Sequence, residues 1–196
     1  MWFKFCYWLV YIALKPIYRF RIYGKEYLPD GAAVICGNHT ARVDAVLVAL
    51  SMGSGGRFTA MAKAELFKNR FFGKVLGSLH VFPVNRGKND IVAIKHALKA
   101  LKEGQQLVIF PEGTRVHEGE KADAKTGAGM LALRSGAPVV PVYITPGKKA
   151  FHGCKIIYGT PFVPQCEGKP GPQDYQRITD EIMEAIRKAG QRELTA

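Results

Sequence analysis

A histidine and an aspartate lie five positions apart in the stretch GNHTARVD, residues 37–44. On one continuous helix, residues five apart point about 140° away from each other, so His39 and Asp44 could not touch there. If the preceding run AAVIC (32–36) is a buried strand and ARVDAVLVAL (41–50) begins a helix, the chain turns between them and Asp44 can reach His39. A carboxylate fixes the tautomer of an imidazole and stabilises the imidazolium, so this pair would form a general base.

Two further polar clusters have side chains suited to a charged substrate. VNRG (84–87) contains Arg86, and PEGTR (111–115) contains Glu112 and Arg115. Arginine beside glycine suits a phosphate group, because the guanidinium donates two hydrogen bonds and glycine lets backbone N–H groups approach. The sequence has no GxSxG nucleophile motif, and Cys36 lies inside a predicted strand, where a core position is expected. A base without an enzyme nucleophile predicts direct attack by a substrate hydroxyl, here on a phosphorylated acceptor.

Short apolar runs bounded by turn residues predict the strands that carry these clusters. The predicted strands are AAVIC (32–36), SLHVFPV (78–84), LVIF (107–110) and PVVPVYI (138–144). Between two of them, Asn89-Asp90 starts a predicted helix that ends at Gly104, and its apolar stripe is Ile91, Ile94, Leu98 and Leu101. This β–α–β unit predicts a single α/β domain with a mostly parallel mixed sheet flanked by helices. The carboxyl ends of parallel strands meet at one edge, so the three clusters should lie there together.

Two more helices follow from local patterns. From Pro172 an amphipathic helix is predicted, with Ile178, Ile182, Ala185, Ile186 and Ala189 facing inward. GAGMLA (127–132) is similar to a dinucleotide-binding fingerprint, but it follows a polar loop instead of a strand. We therefore interpret it as the start of a short helix.

The N-terminal segment is the least usual part of the sequence. Its apolar run, Phe5 to Leu14, has ten residues, well short of the roughly 20 that span a bilayer. Lys15 and Pro16 stand where a signal peptide would have small residues. One interpretation is a helix packed on the core; we favour an interfacial membrane helix, because large aromatics with flanking cations suit the headgroup layer. The predicted division is residues 1–16 for membrane attachment and 17–196 for the domain that does the chemistry.

The charge of the chain limits its partners. The 196 residues carry a net charge of +12, which indicates attraction to phosphates of a nucleic acid, a lipid surface or a small substrate. A nucleic-acid-binding module would explain the charge, but no helix-turn-helix, RRM or KH signature accompanies it, so we predict no nucleic acid partner. The four cysteines are scattered and the five histidines form no metal-ligand pattern, so neither a metal nor a cofactor is predicted, and a reducing compartment is indicated.

Four ordered motifs give the sequence a family resemblance. NHTARVD (38–44), FPVNRG (82–87), FPEGTR (110–115) and VVPVYI (139–144) resemble, in order and interval, the four motifs of the glycerolipid acyltransferases with the NHx4D motif. The form VNRG is similar to that of the 1-acyl-sn-glycerol-3-phosphate (lysophosphatidic acid) acyltransferase branch. The resemblance covers roughly residues 17 to 160, and it implies the glycerolipid acyltransferase fold.

The resemblance also implies roles for the residues. His39, assisted by Asp44, would deprotonate the 2-hydroxyl of lysophosphatidic acid, and that oxygen would attack the thioester of acyl-CoA or acyl-carrier protein to give phosphatidic acid. The residues implied in substrate binding are Arg86, Glu112, Gly113, Thr114, Arg115 and Pro141. Such an enzyme would work at the membrane surface, on the cytoplasmic face. The alternatives are an acyltransferase for glycerol-3-phosphate or another lysophospholipid, and a phospholipid esterase.

Overall fold

Seven strands form one sheet in the order β1-β7-β6-β2-β5-β3-β4. The computed structural model describes residues 2–55, 57–85, 90–115 and 124–191. The strands are β1 (Arg21–Tyr23), β2 (Ala33–Gly37), β3 (Phe58–Lys63), β4 (Val81–Val84), β5 (Gln106–Ile109), β6 (Val139–Ile144) and β7 (Lys155–Tyr158). Every pairing is parallel except β6 with β7, so β7 and its neighbour β1 run against the other five strands. The predicted mostly parallel α/β fold is confirmed.

Helices cover both faces of the sheet. They are α1 (Trp2–Tyr18), α2 (Asp44–Met52), α3 (Arg70–Ser78), α4 (Ile91–Lys102), α5 (Gly127–Ser135) and α6 (Pro172–Gln191). Strand residues alternate between two cores: Ile35 of β2 packs with α1 and α2, and its neighbours Val34 and Cys36 pack with α4, α5 and α6. Such a strand is buried on both faces, which is why it reads as a continuous apolar run. Cys36 is fully buried, as expected for a core position.

The predicted β–α–β unit is present, with two corrections. Asp90 begins α4, accepting a hydrogen bond from Ala93 N–H at 3.0 Å, and Gly104 follows its end with a positive φ of 78°. The predicted stripe holds in part: Leu101 is buried together with Ala93, Ala97 and Ala100, and Ile94 and Leu98 pack against the same core, but Ile91 is 61% exposed. The strand predicted at 78–84 starts only at Val81, because Ser78 is the last residue of α3.

Strands β1, β3 and β7 were not predicted from the sequence. β1 has three residues, too few to display a pattern, and the apolar part of β7 is limited to IIY. β3 reads FTAMAK, in which small and polar residues interrupt the apolar signal. In the sheet β3 pairs with the predicted strands β4 and β5, and β7 pairs with the predicted strand β6, while β1 pairs with β7.

Helix α1 is apolar on two opposite faces. Tyr7 is buried and its hydroxyl donates to Leu50 O at 2.8 Å, which ties α1 to α2. Five large side chains on the other face are at least half exposed: Trp2, Phe5, Trp8, Leu9 and Ile12. The helix continues past Pro16 to Tyr18, so the expected division at residue 16 falls inside it. One face thus packs on the core, as the first interpretation expected, and the membrane role remains a proposal.

No helix among the described residues combines the length and the apolar character needed to cross a bilayer.

The segment GAGMLA begins α5, as interpreted, and its second glycine lets α5 approach α6 closely. A Cβ on Gly129 would collide with the Tyr175 carbonyl oxygen and lie 2.8 Å from Thr179 Oγ1. Gly129 N–H also donates to Thr179 Oγ1 at 3.2 Å. These contacts require glycine for helix packing.

Gly129→Ala should therefore destabilise the protein by about 1–3 kcal/mol, the usual cost of overpacking. Gly127→Ala is the matched control, because a Cβ there meets nothing within 4 Å. The measurement is chemical denaturation of both variants followed by circular dichroism. Equal stability of the two variants would contradict the close approach of α5 and α6.

Candidate functional site

Three neighbouring strands bring polar side chains to one edge of the sheet. β2 lies between β6 and β5, and the three run parallel. His39 follows the end of β2, Glu112 follows β5, and Lys148 follows β6. Asp44 is the first residue of α2. The structure thus unites two of the three predicted clusters and adds a lysine.

His39 and Asp44 meet across a tight turn. His39 Nδ1 lies 3.3 Å from Asp44 Oδ2, and the same oxygen accepts the N–H groups of Thr40 at 2.7 Å and Ala41 at 2.6 Å. The imidazole stacks on Phe110, with 4.5 Å between ring centroids. The side chain of His39 is 12% exposed, and that of Asp44 is fully buried. Because Nδ1 faces the carboxylate, Nε2 is the nitrogen turned away from it, where a base would receive a proton.

Lys148 completes the surroundings of Asp44. Its ammonium lies 2.8 Å from Asp44 Oδ1, and its side chain is 1% exposed. Oδ1 has no hydrogen-bond partner in the described part of the chain, so the ion pair with Lys148 is what compensates its burial. Sequence reasoning missed this lysine because it belongs to none of the motifs. The signal was present: TPGKKAF follows a strand predicted to be parallel to that of His39, so its loop emerges at the same edge.

The surroundings of Asp44 keep it ionised. Burial alone raises the pKa of a carboxyl group, but the polar contacts with His39, Lys148 and Ala41 N–H outweigh it, so the pKa of Asp44 lies below its usual range. The carboxylate can therefore orient the imidazole and stabilise it when protonated.

Glu112 supports the histidine backbone. Its Oε2 accepts His39 N–H at 2.7 Å, and the residue is 7% exposed. Burial raises the pKa of Glu112 above its usual range. The observed contact is thus with the turn after β2, while binding of an acceptor by Glu112 stays a prediction.

The rest of PEGTR forms the rim of the site. Gly113 has φ of 64°, and a Cβ there would lie 2.9 Å from the Lys125 side chain. Lys125 N–H donates to Pro111 O at 2.7 Å, which holds this second cation at the rim. Thr114 and Arg115 are exposed. These positions leave Arg115 accessible to a ligand in solution.

For two predicted residues the structure shows no contact with the His39 cluster. Arg86 lies outside the described residues. Pro141 is buried within β6, and a Cβ on Gly159 would lie 3.0 Å from both Pro141 Cγ and Ala189 Cβ, so its ring lies under α6. Because proline has no N–H, the β6–β7 pairing begins at the next residue, Val142, and Gly159 N–H donates to Pro141 O at 2.8 Å. Its observed role is in the sheet; a role in binding the acyl chain stays a prediction.

Asn38 holds the turn to the neighbouring strand. Its side-chain amide donates to Ile144 O at 2.9 Å and accepts Ile144 N–H at 2.7 Å. These two hydrogen bonds extend the contact between β2 and β6 by one residue and fix the position of His39, the next residue. Asn38 is thus a supporting residue of the turn that carries His39.

The Glu112 contact predicts a difference between two substitutions. Glu112→Ala leaves the His39 N–H without an acceptor, which should cost about 1–3 kcal/mol of stability, whereas Glu112→Gln keeps an acceptor oxygen. Because burial raises the pKa of Glu112 in the folded state, wild-type stability should fall as pH rises above the ordinary glutamate pKa of about 4.3, and the uncharged Gln variant should gain on the wild type in that direction. Denaturation curves recorded below and above that pH measure the difference. Equal stability of the Ala and Gln variants would refute the supporting contact.

Comparison with known proteins assigns the chain to a family. A family model described as Acyltransferase matches residues 19–145. The 1-acyl-sn-glycerol-3-phosphate acyltransferase of Bacillus subtilis (strain 168) is 36% identical over 165 residues, 81% of each chain. The chloroplastic 1-acyl-sn-glycerol-3-phosphate acyltransferase LPAT1 of Arabidopsis thaliana is 32% identical over 67% of this chain but only 37% of its own length. The crystal structure of the 1-acyl-sn-glycerophosphate (LPA) acyltransferase PlsC from Thermotoga maritima has the same fold, with a TM-score of 0.70 at 23% identity over 97% of this chain and 78% of that one. The chain belongs to the acyltransferase family.

Proposed function

We propose that the protein transfers an acyl group from an acyl thioester to the 2-hydroxyl of 1-acyl-sn-glycerol-3-phosphate, making phosphatidic acid for phospholipid biosynthesis. The observation that carries the proposal is the His39–Asp44 pair, held at the edge of the sheet with Nε2 turned away from the carboxylate. The substrate follows from the Bacillus relative, which matches over 81% of each chain.

The chemistry requires a base and no enzyme nucleophile. His39 Nε2 takes the proton of the acceptor 2-hydroxyl while that oxygen attacks the thioester carbonyl carbon. As the tetrahedral intermediate collapses, the new C–O ester bond remains, the C–S bond breaks, and the imidazolium returns its proton to the departing thiolate. Asp44 stabilises the imidazolium between these two proton transfers. Direct transfer is supported by Cys36 and Cys154, both buried thiols whose pKa burial raises, which makes them poor nucleophiles.

The substrates would approach from the exposed rim. Arg115 and Thr114 are exposed beside Gly113, and Arg115 would hold the acceptor's phosphate by a two-pronged contact. Arg86, Glu112 and Pro141 remain proposed contributors to substrate binding. The donor would be acyl-CoA or acyl-carrier protein.

The testing experiment offers the purified protein radiolabelled lysophosphatidic acid with each donor in turn. Formation of labelled phosphatidic acid is expected. Release of free fatty acid in its place would indicate a phospholipid esterase. Preference for glycerol-3-phosphate or another lysophospholipid, offered in competition, would indicate a different acceptor.

His39→Ala should lower turnover by roughly 10²–10⁴-fold, the usual cost of losing a general base. Asp44→Asn should also be severe, because the imidazole loses its orienting charge. His152→Ala is the matched control, since His152 is an exposed histidine in the loop after β6. Steady-state rates are compared after circular dichroism has verified folding. Near-normal turnover of a folded His39→Ala enzyme would refute the mechanism.

We also propose that the exposed face of α1 lies in the membrane interface, on the cytoplasmic side, where acceptor and product reside. A contiguous apolar surface of this kind is unusual in water, and its tryptophans are typical of the headgroup layer. Three cations are exposed and could meet anionic lipids: Lys4 on the same helix, and Arg19 and Arg21 just after it.

Leu9→Glu with Ile12→Glu tests this attachment without removing core residues, because the two side chains are 61% and 69% exposed. The double variant should lose most of its sedimentation with anionic vesicles, since each carboxylate must leave water or lift the helix from the surface. Val163→Glu, 50% exposed in a loop, is the control. Undiminished vesicle binding by the folded double variant would assign attachment to another surface.

A further inference from the structure

Lys148 is a buried cation with three polar neighbours. Its ammonium donates to Thr40 Oγ1 at 2.9 Å and to Thr145 O at 2.7 Å, and it forms an ion pair with Asp44 Oδ1 at 2.8 Å. Two of the three N–H donors of the ammonium are therefore used in hydrogen bonds, and the ion pair is the third contact. Such a site fixes the position of the charge, in contrast to a surface lysine.

The two oxygens of Asp44 have separate partners. Oδ2 faces His39 and the N–H groups of the turn, and Oδ1 faces Lys148. Rotation of the carboxylate would break both sets of contacts at once. Lys148 therefore fixes the direction in which Asp44 points its charge at the imidazole.

Lys148 also sets the charge balance next to the base. With Lys148 present, the carboxylate and the ammonium are a neutral pair, so a proton on His39 adds a net positive charge to a buried cluster. Without Lys148, the imidazolium would be the principal counter-charge of Asp44 and would be held more tightly. The other titratable groups here are Glu112, whose oxygen holds His39 N–H, and Cys154, which lies within the influence of Lys148, Asp44 and Lys15.

We propose that Lys148 is a positioning residue of the acyl transfer, acting through the direction and charge of the Asp44 carboxylate to orient His39. The kinetic consequences of this inference rest on the proposed function. Its effect on the His39 imidazole does not, and that effect is measured separately, without substrate.

Lys148→Met tests the inference, because methionine keeps the length of the side chain without its charge. His39 should take up its proton at a higher pH than in the wild type, because Asp44 has lost its other counter-charge, and turnover at neutral pH should fall by about three- to tenfold. The acidic limb of kcat/KM against pH should move in the same direction, and KM for lysophosphatidic acid should change by less than about threefold. Lys149→Met is the matched control, since Lys149 is the exposed neighbour, and it should match the wild type in every measurement.

The His39 titration is followed by NMR of the imidazole protons, so it does not depend on the substrate. Wild-type protein inactive on lysophosphatidic acid would refute the proposed function while the titration still tests Lys148. A folded Lys148→Met protein with an unshifted titration would overturn the inference. So would a shift accompanied by a large rise in KM, which would make Lys148 a substrate contact.

If Lys148→Met does not fold, the inference is tested by comparing a double variant with Asp44→Asn alone. Asp44→Asn with Lys148→Met removes both charges and leaves no buried ion unpaired. If Lys148 acts through Asp44, this double variant should have turnover within about threefold of Asp44→Asn alone, as expected for coupled residues. A further loss of tenfold or more in the double variant would overturn the inference.

Discussion

The buried charge of Asp44 is the constraint on which the site depends. A carboxylate taken out of water loses several kcal/mol of hydration, and the fold compensates with four polar groups around it. They are two backbone N–H groups of the turn after β2, the imidazole of His39, and the ammonium of Lys148 after β6. None of these compensates alone. The strands β2 and β6 must therefore be neighbours in register, and Asn38 secures that register through its two bonds to Ile144.

The same constraint links α1 to the chemistry. Tyr7 of α1 donates to Leu50 O in α2, the helix that begins with Asp44. At its other end, Ile17 O accepts Phe151 N–H at 2.6 Å, and Phe151 belongs to the loop that carries Lys148. The helix that we propose to lie at the membrane thus contacts both elements that hold Asp44. Displacement of α1 would disturb the carboxylate from two directions, so the surface proposed for lipid attachment and the His39–Asp44 pair belong to one structural unit.

How much of this arrangement the sequence predicts depends on the range of the interaction. β2, β5 and β6 are apolar runs with polar residues at their ends, so the strands, their parallel packing and the convergence of His39, Asp44 and Glu112 follow from local patterns. The contact of Glu112 with the backbone of His39 and the burial of Lys148 depend on side chains that meet only after the sheet has formed. In α4 the pattern misled at one position: Ile91 is exposed, while Ala93, Ala97 and Ala100 are buried. Arg86 lies outside the described residues, so its part in the site stays a prediction.

Helix α1 marks a different limit. Apolar residues on all sides usually indicate a helix buried in a core or a membrane, and the sequence does not separate the two environments. In the structure the two environments lie on opposite faces of the helix: Tyr7 faces the core, while Leu9 and Ile12 face outward. The division at residue 16 therefore does not separate an anchor from a domain, because removing the segment would also uncover the core around Tyr7 and take away a partner of α2. A truncated protein that failed to bind vesicles could simply be unfolded. Only substitutions confined to the outer face can distinguish what α1 contributes to the membrane from what it contributes to the fold.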